Sequence, residues 1–427
     1  MHKGKLAIKG GKPVREKILP FVPVEADVTE AEINAIVEVL KTKRLSQLTS
    51  EKVSEFEEVF AKYYGVKYAI AVTSGTTALH AALAAVGVGP KNDVILPPYT
   101  FMATANAILH QTAVPNFADV DPKTYTLDPE DFEKRITPKT KAVIPVHMLG
   151  HPADMDPIME IAEKHNVIVI EDCAQANGAE YKGIKVGAFG DFGCFSFYLN
   201  KHMTTGGEGG MIITNNEKLA KKAKSIVNHC RVDVSPYPNV PAHNVYWGIG
   251  YNYRMTALQA AMGIIQLRRL DGFIKKRIKN AEYLDKHLKK LDGIKPPFVS
   301  KNVKHVYWAY GALVIEKKLG VSRDKFAEAL LGEGIKAEGY CPIPVHLQDL
   351  FKNKTGYGGT TFPFESPFYG LPLHYKKRLC PNAEKLSSQD LLLPVYHTLT
   401  ESDLANVVVA VKKVVTNISE LKKSNEA

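Results

Sequence analysis

Cysteine is scarce: there are five in 427 residues, at positions 173, 194, 230, 341 and 380, an odd number without C-x-x-C spacing. That excludes a disulfide framework and a cysteine-built zinc site, and leaves reduced thiols acting as small buried hydrophobes. The fourteen histidines show no metal-ligand spacing, so no metal is expected. No stretch approaches the roughly 20 apolar residues of a membrane-spanning helix. Met1-His-Lys-Gly-Lys5 is not followed by an apolar run with a cleavage site, so a cytoplasmic protein with no membrane partner is expected. Acidic residues are also short, 45 against 55 Lys and Arg, for a net charge of +10. Such a balance suits either nucleic acid or an anionic small substrate such as a nucleotide sugar. The excess sits in lysines spread along helices, for example Lys218, Lys221, Lys222 and Lys224, and no recognition-helix or RNA-binding pattern is present; no nucleic-acid partner is expected.

What is present is one concentrated stretch, Asp191-Phe-Gly-Cys-Phe-Ser196-Phe-Tyr-Leu-Asn-Lys201-His-Met-Thr-Thr-Gly-Gly-Glu208-Gly-Gly210. Phe192 to Tyr198 reads as a strand, Met211 to Thr214 as the next, and Lys201 falls on the glycine-rich turn between them. A loop lysine is ordinarily a solvated charge. This one is flanked by apolar, glycine and hydroxyl residues with Glu208 the only acid nearby, which suits a partly dry site where desolvation makes the amine a nucleophile able to form a Schiff base. Upstream, Val167-Ile-Val-Ile170 is a continuous apolar run of the buried parallel-strand kind, ending in Glu171-Asp172. Ligands of open α/β sheets sit beyond the carboxyl ends of the strands. A lysine and an aspartate placed there match the two groups that pyridoxal 5'-phosphate demands, one for its aldehyde and one to keep its ring nitrogen protonated. A surface salt bridge beside a flexible loop is the alternative.

Tyr68-Ala-Ile-Ala-Val72 is a short apolar strand, and Thr73-Ser-Gly75-Thr76-Thr77 then opens an alanine-rich helix. Unpaired N–H groups and the positive end of the helix dipole favour an anion such as phosphate, although ordinary N-capping uses the same residues. Further segments are Pro98-Tyr-Thr-Phe-Met-Ala-Thr-Ala-Asn-Ala107, Glu171-Asp-Cys-Ala-Gln-Ala-Asn-Gly178, Gly250-Tyr-Asn-Tyr-Arg-Met255, Ala383-Glu-Lys-Leu-Ser387 and Leu393-Pro-Val395. In this order, over nearly the whole length, the chain resembles the DegT/DnrJ/EryC1/StrS sugar aminotransferases, a branch of the fold-type I pyridoxal-phosphate enzymes.

The resemblance implies that Lys201 is the Schiff-base lysine and proton shuttle, that Asp172 pairs with the pyridinium nitrogen and that Gln175 approaches the ring hydroxyl. Phe101 would stack on the cofactor; Gly75, Thr76 and Ser196 would bind its phosphate. Asn252 would reach the phosphate of the neighbouring subunit in a homodimer with shared active sites. Two departures stand out: Gly206-Gly207 adds a residue before Glu208, and Gln175 occupies a position where many members carry histidine. A family subset with histidine in place of the lysine performs dehydration. Here the histidine is the neighbour, His202, which favours transamination.

Taken in order, the chain has a capping box at Thr29-Glu-Ala-Glu32 and then two amphipathic helices. Strands near 69–72, 94–96, 116–118, 142–146 and 167–170 alternate with helices, which predicts an α/β fold with a mainly parallel, seven-stranded-type sheet flanked by helices. The expected division is an N-terminal arm (1–27), a large cofactor-binding domain (28–295) and a smaller α+β C-terminal domain (296–427) beginning at Pro296-Pro297. The smaller part is expected to hold a strand from Val306 to Ile315, a helix from Ser322 to Leu331, a strand near Ile335 and a helix capped by Thr400. Residues 230–250, rich in Pro, Asn and Tyr, resemble the family segment that crosses to the partner, and a long helix follows from Met255. The loop 352–380 lacks periodicity and is expected to help cover the acceptor site, with Tyr340 and His346 as substrate-binding candidates; a disordered insertion is the alternative.

The resulting expectation is a pyridoxal-phosphate aminotransferase. It would move an amino group from L-glutamate or L-glutamine to a ketosugar or cyclitol ketone by ping-pong kinetics, with the pyridoxamine (PMP) form of the cofactor between the two half-reactions. A sugar dehydratase and a non-catalytic regulatory or binding protein on the same fold are the rivals.

Overall fold

The computed structural model describes residues 4–422. The short apolar runs of the sequence form one sheet of seven strands: β1 (Tyr68–Val72), β2 (Asp93–Leu96), β3 (Val114–Phe117), β4 (Thr140–Val143), β5 (Ile168–Asp172), β6 (Phe192–Ser196) and β7 (Gly210–Thr214). Their spatial order is β1-β7-β6-β5-β4-β2-β3. Every pairing is parallel except those of β7, which is antiparallel to both β1 and β6. All residues of β2, β6 and β7 are buried, as required of strands covered on both faces. The fold is α/β, a mostly parallel seven-stranded sheet flanked by helices.

Local chemistry explains where the helices begin. Thr29 and Glu32 close the expected capping box on helix Glu30–Thr42, and Asp128 caps Pro129–Arg135 with proline in its first turn. Helix Gly75–Ala85 starts at Ser74, whose hydroxyl accepts from Thr77 N. The long helix runs Ala257–Leu288 behind a Thr256 cap and ends short of Leu291. No helix among the described residues is long and apolar enough to cross a membrane.

A second core lies toward the C-terminus. Ile294–Lys295, Tyr310–Val314 and Asp390–Leu393 form an antiparallel three-stranded sheet. Phe326, Leu330, Leu391, Leu393, Val407 and Val411 pack there with Leu284 and Leu288 of the long helix. The helix expected from Ser322 is Arg323–Gly332 with Ser322 as its cap, and Thr400 caps Glu401–Thr416.

Three expectations are corrected. The strand expected from Val306 begins only at Tyr310, because Val306 N and Trp308 N donate to Gly150 O and Leu149 O instead of to a neighbouring strand. No strand forms at 335–337; Ile335 makes a single bridge with Leu19, and Glu338 one with Leu392. The loop 352–380 is neither loose nor over the cavity described below. Tyr369 donates to Asp93 Oδ2 (3.0 Å) and Tyr375 to Pro115 O (2.7 Å), while Phe364 and Tyr375 pack on Phe351. Its aromatic residues thus cover β2 and the edge strand β3, and burial of those rings supplies the order that periodicity could not announce.

Candidate active site

The carboxyl ends of β1, β5 and β6 open onto a cavity of about 360 Å³. Gly75, Thr76, Phe101, Asp172, Gln175, Ser196, Lys201 and Tyr340 all line it. These come from five separate stretches of chain, which only the tertiary fold brings together.

Lys201 sits on a turn held by its own backbone: Leu199 N donates to Gly207 O, Phe197 N to Gly209 O, and Thr204 Oγ1 to Phe197 O. Gly206 and Gly207 stand at φ 93° and 105°, where a side chain is strained, so the additional glycine is what lets the turn close. The Lys201 amine keeps some surface toward the cavity, yet the density of surrounding atoms desolvates it. That desolvation brings its pKa from 10.5 to about 8, against the opposing pull of Asp172 and Glu208. Lys201 Nζ lies 4.9 Å from the centre of the Trp308 ring, and Trp308 Nε1 donates to Asn200 O (3.0 Å).

Asp172 ends β5. Its Oδ2 accepts from Thr104 Oγ1 (2.9 Å) and its Oδ1 from Ala174 N (3.0 Å). Burial pushes its carboxyl up; the two hydrogen bonds, Lys201 and His147 pull the other way. Behind it, His147 Nε2 meets Glu171 Oε2 at 2.9 Å, Glu171 also accepts from Gly187, Phe189 and Gly190 N, and His147 Nδ1 accepts from Ala153 N. His147, Glu171 and Cys173 lie close enough to suggest a metal, but backbone N–H groups already use the lone pairs a cation would need. The cluster instead fixes the strand end: His147 N donates to Asp172 O, and Asp172 N to Pro145 O.

At the other end of the cavity, the N–H groups of Gly75 and Thr76 begin a helix and have no acceptor among the described residues. A Cβ on Gly75 would lie 2.8 Å from Ser196 Cβ, so glycine is what allows the helix start and Ser196 to converge. Unpaired N–H groups, a hydroxyl and a helix dipole pointing at one spot form an anion cradle. Phe101 projects over the cavity with 65% of its surface exposed.

Two predicted residues are not brought into this cavity. His346 is buried elsewhere, its Nε2 3.2 Å from Glu384 Oε1 and its ring against Phe117, because the turn carrying it packs inward. Asn252 is exposed and paired with Asn228 through backbone. The sequence reading missed Thr104, Asn200 and Trp308. Thr104 lay in plain view three residues after Phe101, and helical spacing was the available signal; Trp308 was hidden by its reading as a strand residue.

Comparison with known proteins agrees with this geometry. The family model described as "DegT/DnrJ/EryC1/StrS aminotransferase family" matches residues 26–412. A GDP-perosamine synthase of Caulobacter vibrioides is 37% identical over 402 residues, covering 93% of this chain and 99% of that protein. A putative L-glutamine:3-amino-2,3-dideoxy-scyllo-inosose aminotransferase of Streptoalloteichus tenebrarius is 35% identical over 429 residues, 98% of this chain and 99% of its own. The crystal structure of NtdA from Bacillus subtilis with bound cofactor PMP superposes with a TM-score of 0.78 at 30% identity, covering 95% of this chain and 87% of that one. The fold is therefore that of the fold-type I pyridoxal-phosphate aminotransferases, and the protein is an enzyme of that class. The chain belongs to the DegT/DnrJ/EryC1/StrS aminotransferase family.

Proposed function

We propose that this enzyme transfers an amino group from L-glutamate or L-glutamine to the ketone of a sugar or cyclitol, using pyridoxal phosphate held in the cavity at the ends of β1, β5 and β6. The observation that carries this reading is the convergence of a desolvated Lys201, a buried Asp172 and an anion cradle at Gly75 and Thr76 in one cavity. These residues fit the cofactor: the unsatisfied N–H groups of the cradle suit its phosphate, Asp172 its ring nitrogen, Lys201 its aldehyde, Phe101 its ring face and Gln175 its ring oxygen. When bound, the cofactor supplies an electron sink for the bonds at the donor's α-carbon.

The protein's own groups do the rest. Thr104 Oγ1 and Ala174 N hold the Asp172 carboxylate at the cavity, where it would pair with the cofactor's ring nitrogen, and burial would strengthen that pairing. In each half-reaction Lys201 Nζ would take a proton from one of the two reacting carbons, the substrate carbon that bears the amino group and the cofactor carbon, and deliver it to the other, which requires the neutral amine that desolvation makes accessible. The Trp308 ring over Nζ excludes water from one side. The donor reading is supported by the L-glutamine named for the Streptoalloteichus relative, and the sugar reading by the GDP-perosamine synthase.

A homodimer accounts for what lies outside the cavity. Val234, Tyr237, Trp247 and Ile249 are more than half exposed on the 230–250 segment, an apolar surface suited to a second copy. Asn252 beside it is free to reach the partner's cofactor phosphate.

The test is the visible absorption of the purified protein with pyridoxal phosphate, before and after each donor. A band that fades with L-glutamate or L-glutamine supports the reading. Lys201→Ala should lose both the band and transamination while keeping its circular dichroism; retained turnover would refute the role given to Lys201.

A further inference from the structure

Leu149 stands at φ 54°, ψ 13°, a left-handed conformation unusual for leucine, and both of its backbone polar groups are turned toward the cavity wall. Its C=O accepts from Trp308 N (2.8 Å), and its N–H donates to Gln175 Oε1 (2.9 Å). That second bond settles the orientation of the Gln175 amide, since the reverse would set two donors face to face. Gln175 Nε2 then donates to Tyr340 Oη at 2.6 Å. The phenol oxygen is an acceptor in this bond, so its own proton points elsewhere, and it has no acceptor among the described residues.

Tyr340 is braced so that the free direction lies in the cavity. Its N–H donates to Asp390 Oδ2 (2.6 Å), which also accepts from Tyr99 Oη (2.8 Å), while Arg323 Nη1 sits 3.2 Å from Asp390 Oδ1. The ring stands edge-on to Trp308 at 5.5 Å. Burial holds the phenol well above its ordinary pKa, so it keeps its proton.

We propose that Tyr340 donates its hydroxyl proton to an oxygen of the ligand seated before Lys201, either the ring oxygen of the cofactor or a carboxylate oxygen of the amino donor. Gln175 is the positioning residue that aims it, with its amide fixed by the left-handed Leu149. This inference rests on the cofactor reading above.

The test compares wild type, Tyr340→Phe, Gln175→Glu and the double variant. Pyridoxal phosphate affinity and the absorption maximum of the loaded protein are read without donor, and the apparent donor constant for L-glutamate and L-glutamine is read separately. Loss of one such bond should weaken binding about three- to tenfold. In Gln175→Glu the side chain still accepts from Leu149 N, but its second oxygen now draws the Tyr340 proton out of the cavity. Tyr340→Phe should therefore add nothing in that background. A change read without donor assigns the acceptor to the cofactor ring; a change confined to the donor constant assigns it to the donor. Unmoved Tyr340→Phe, or losses that add in the double variant, overturn the inference while wild type still binds the cofactor. A wild type that takes up no pyridoxal phosphate overturns the function proposed above as well.

Discussion

Lys201 is a nucleophile only when its amine is neutral, and desolvation places that change at about pH 8. Near pH 7 about one-tenth of the amine is neutral. Uptake of pyridoxal phosphate by the apo-protein should therefore quicken about tenfold per pH unit below the bend and level off above it. Glu208→Gln removes one of the two acids that favour the charged amine, so its bend should move to lower pH. Stopped-flow absorbance from pH 6 to 9 checks both; a rate still rising about tenfold per pH unit at pH 9, with no bend, would show that the amine is not desolvated. The assignment of chemistry to Lys201 and Asp172 was open to sequence reasoning, because glycine and hydroxyl neighbours advertise a dry turn and an apolar strand advertises its own end. The strength of the desolvation was not open to it. It depends on burial by surrounding segments, and the ring packed against the amine, Trp308, is over a hundred residues away.

At the scale of single elements, helix Lys52–Tyr64 shows how packing overrides composition. It turns Val53, Phe56, Phe60 and Tyr64 inward, and Glu57 goes with them to accept from Ala71 N (2.9 Å). Burial, only partly offset by that bond and by Lys224, raises its pKa from 4.5 to about 7. Between those values the folded chain holds a proton the unfolded chain has lost, so stability falls as pH rises through the window. Glu57→Gln keeps an acceptor for Ala71 N and does not titrate. Its melting temperature should exceed that of wild type at pH 8 and converge with it near pH 4.5, whereas an equal difference at both pH values would refute the buried carboxylate. The same override explains the loop 352–380. Its rings follow no period, yet Phe364 and Tyr375 find Phe351, and Tyr369 finds Asp93.

Across the whole molecule, the N-terminal arm is strapped to the C-terminal core. Leu6 is fully buried there; Glu333 accepts from Ala7 N (2.9 Å) and Val14 N (3.1 Å), and Lys413 Nζ reaches Glu333 Oε2 (2.8 Å) and Lys12 O (2.7 Å). Glu333 has no exposed surface and Lys413 only 6%. Removing one partner of a buried pair leaves the other uncompensated, so Glu333→Ala should cost about 3–5 kcal/mol. Urea unfolding reads this as a lowered midpoint; an unchanged midpoint would show the strap to be ornamental. The C-terminal part also supplies Trp308 and Tyr340 to the cavity, so looseness there should reach the cofactor, as weakened pyridoxal phosphate binding in the same variant would register.

The sequence by itself determined the class of fold and singled out the lysine and the aspartate that meet in the cavity. Apolar runs of strand length between helical periods leave little choice but a mostly parallel sheet, and a strand ending in aspartate beside a glycine-rich lysine turn places the chemistry at the carboxyl edge. Only the tertiary structure decided which remote residues complete that centre. Trp308 and Tyr340 entered the cavity, while His346 turned toward Phe117 and the 352–380 loop went to the β3 edge. Local pattern records which groups prefer burial, but the hydrogen-bond partner each finds there, such as Leu149 for Gln175 or Asp390 for Tyr340, is set by contacts between segments that no periodicity links.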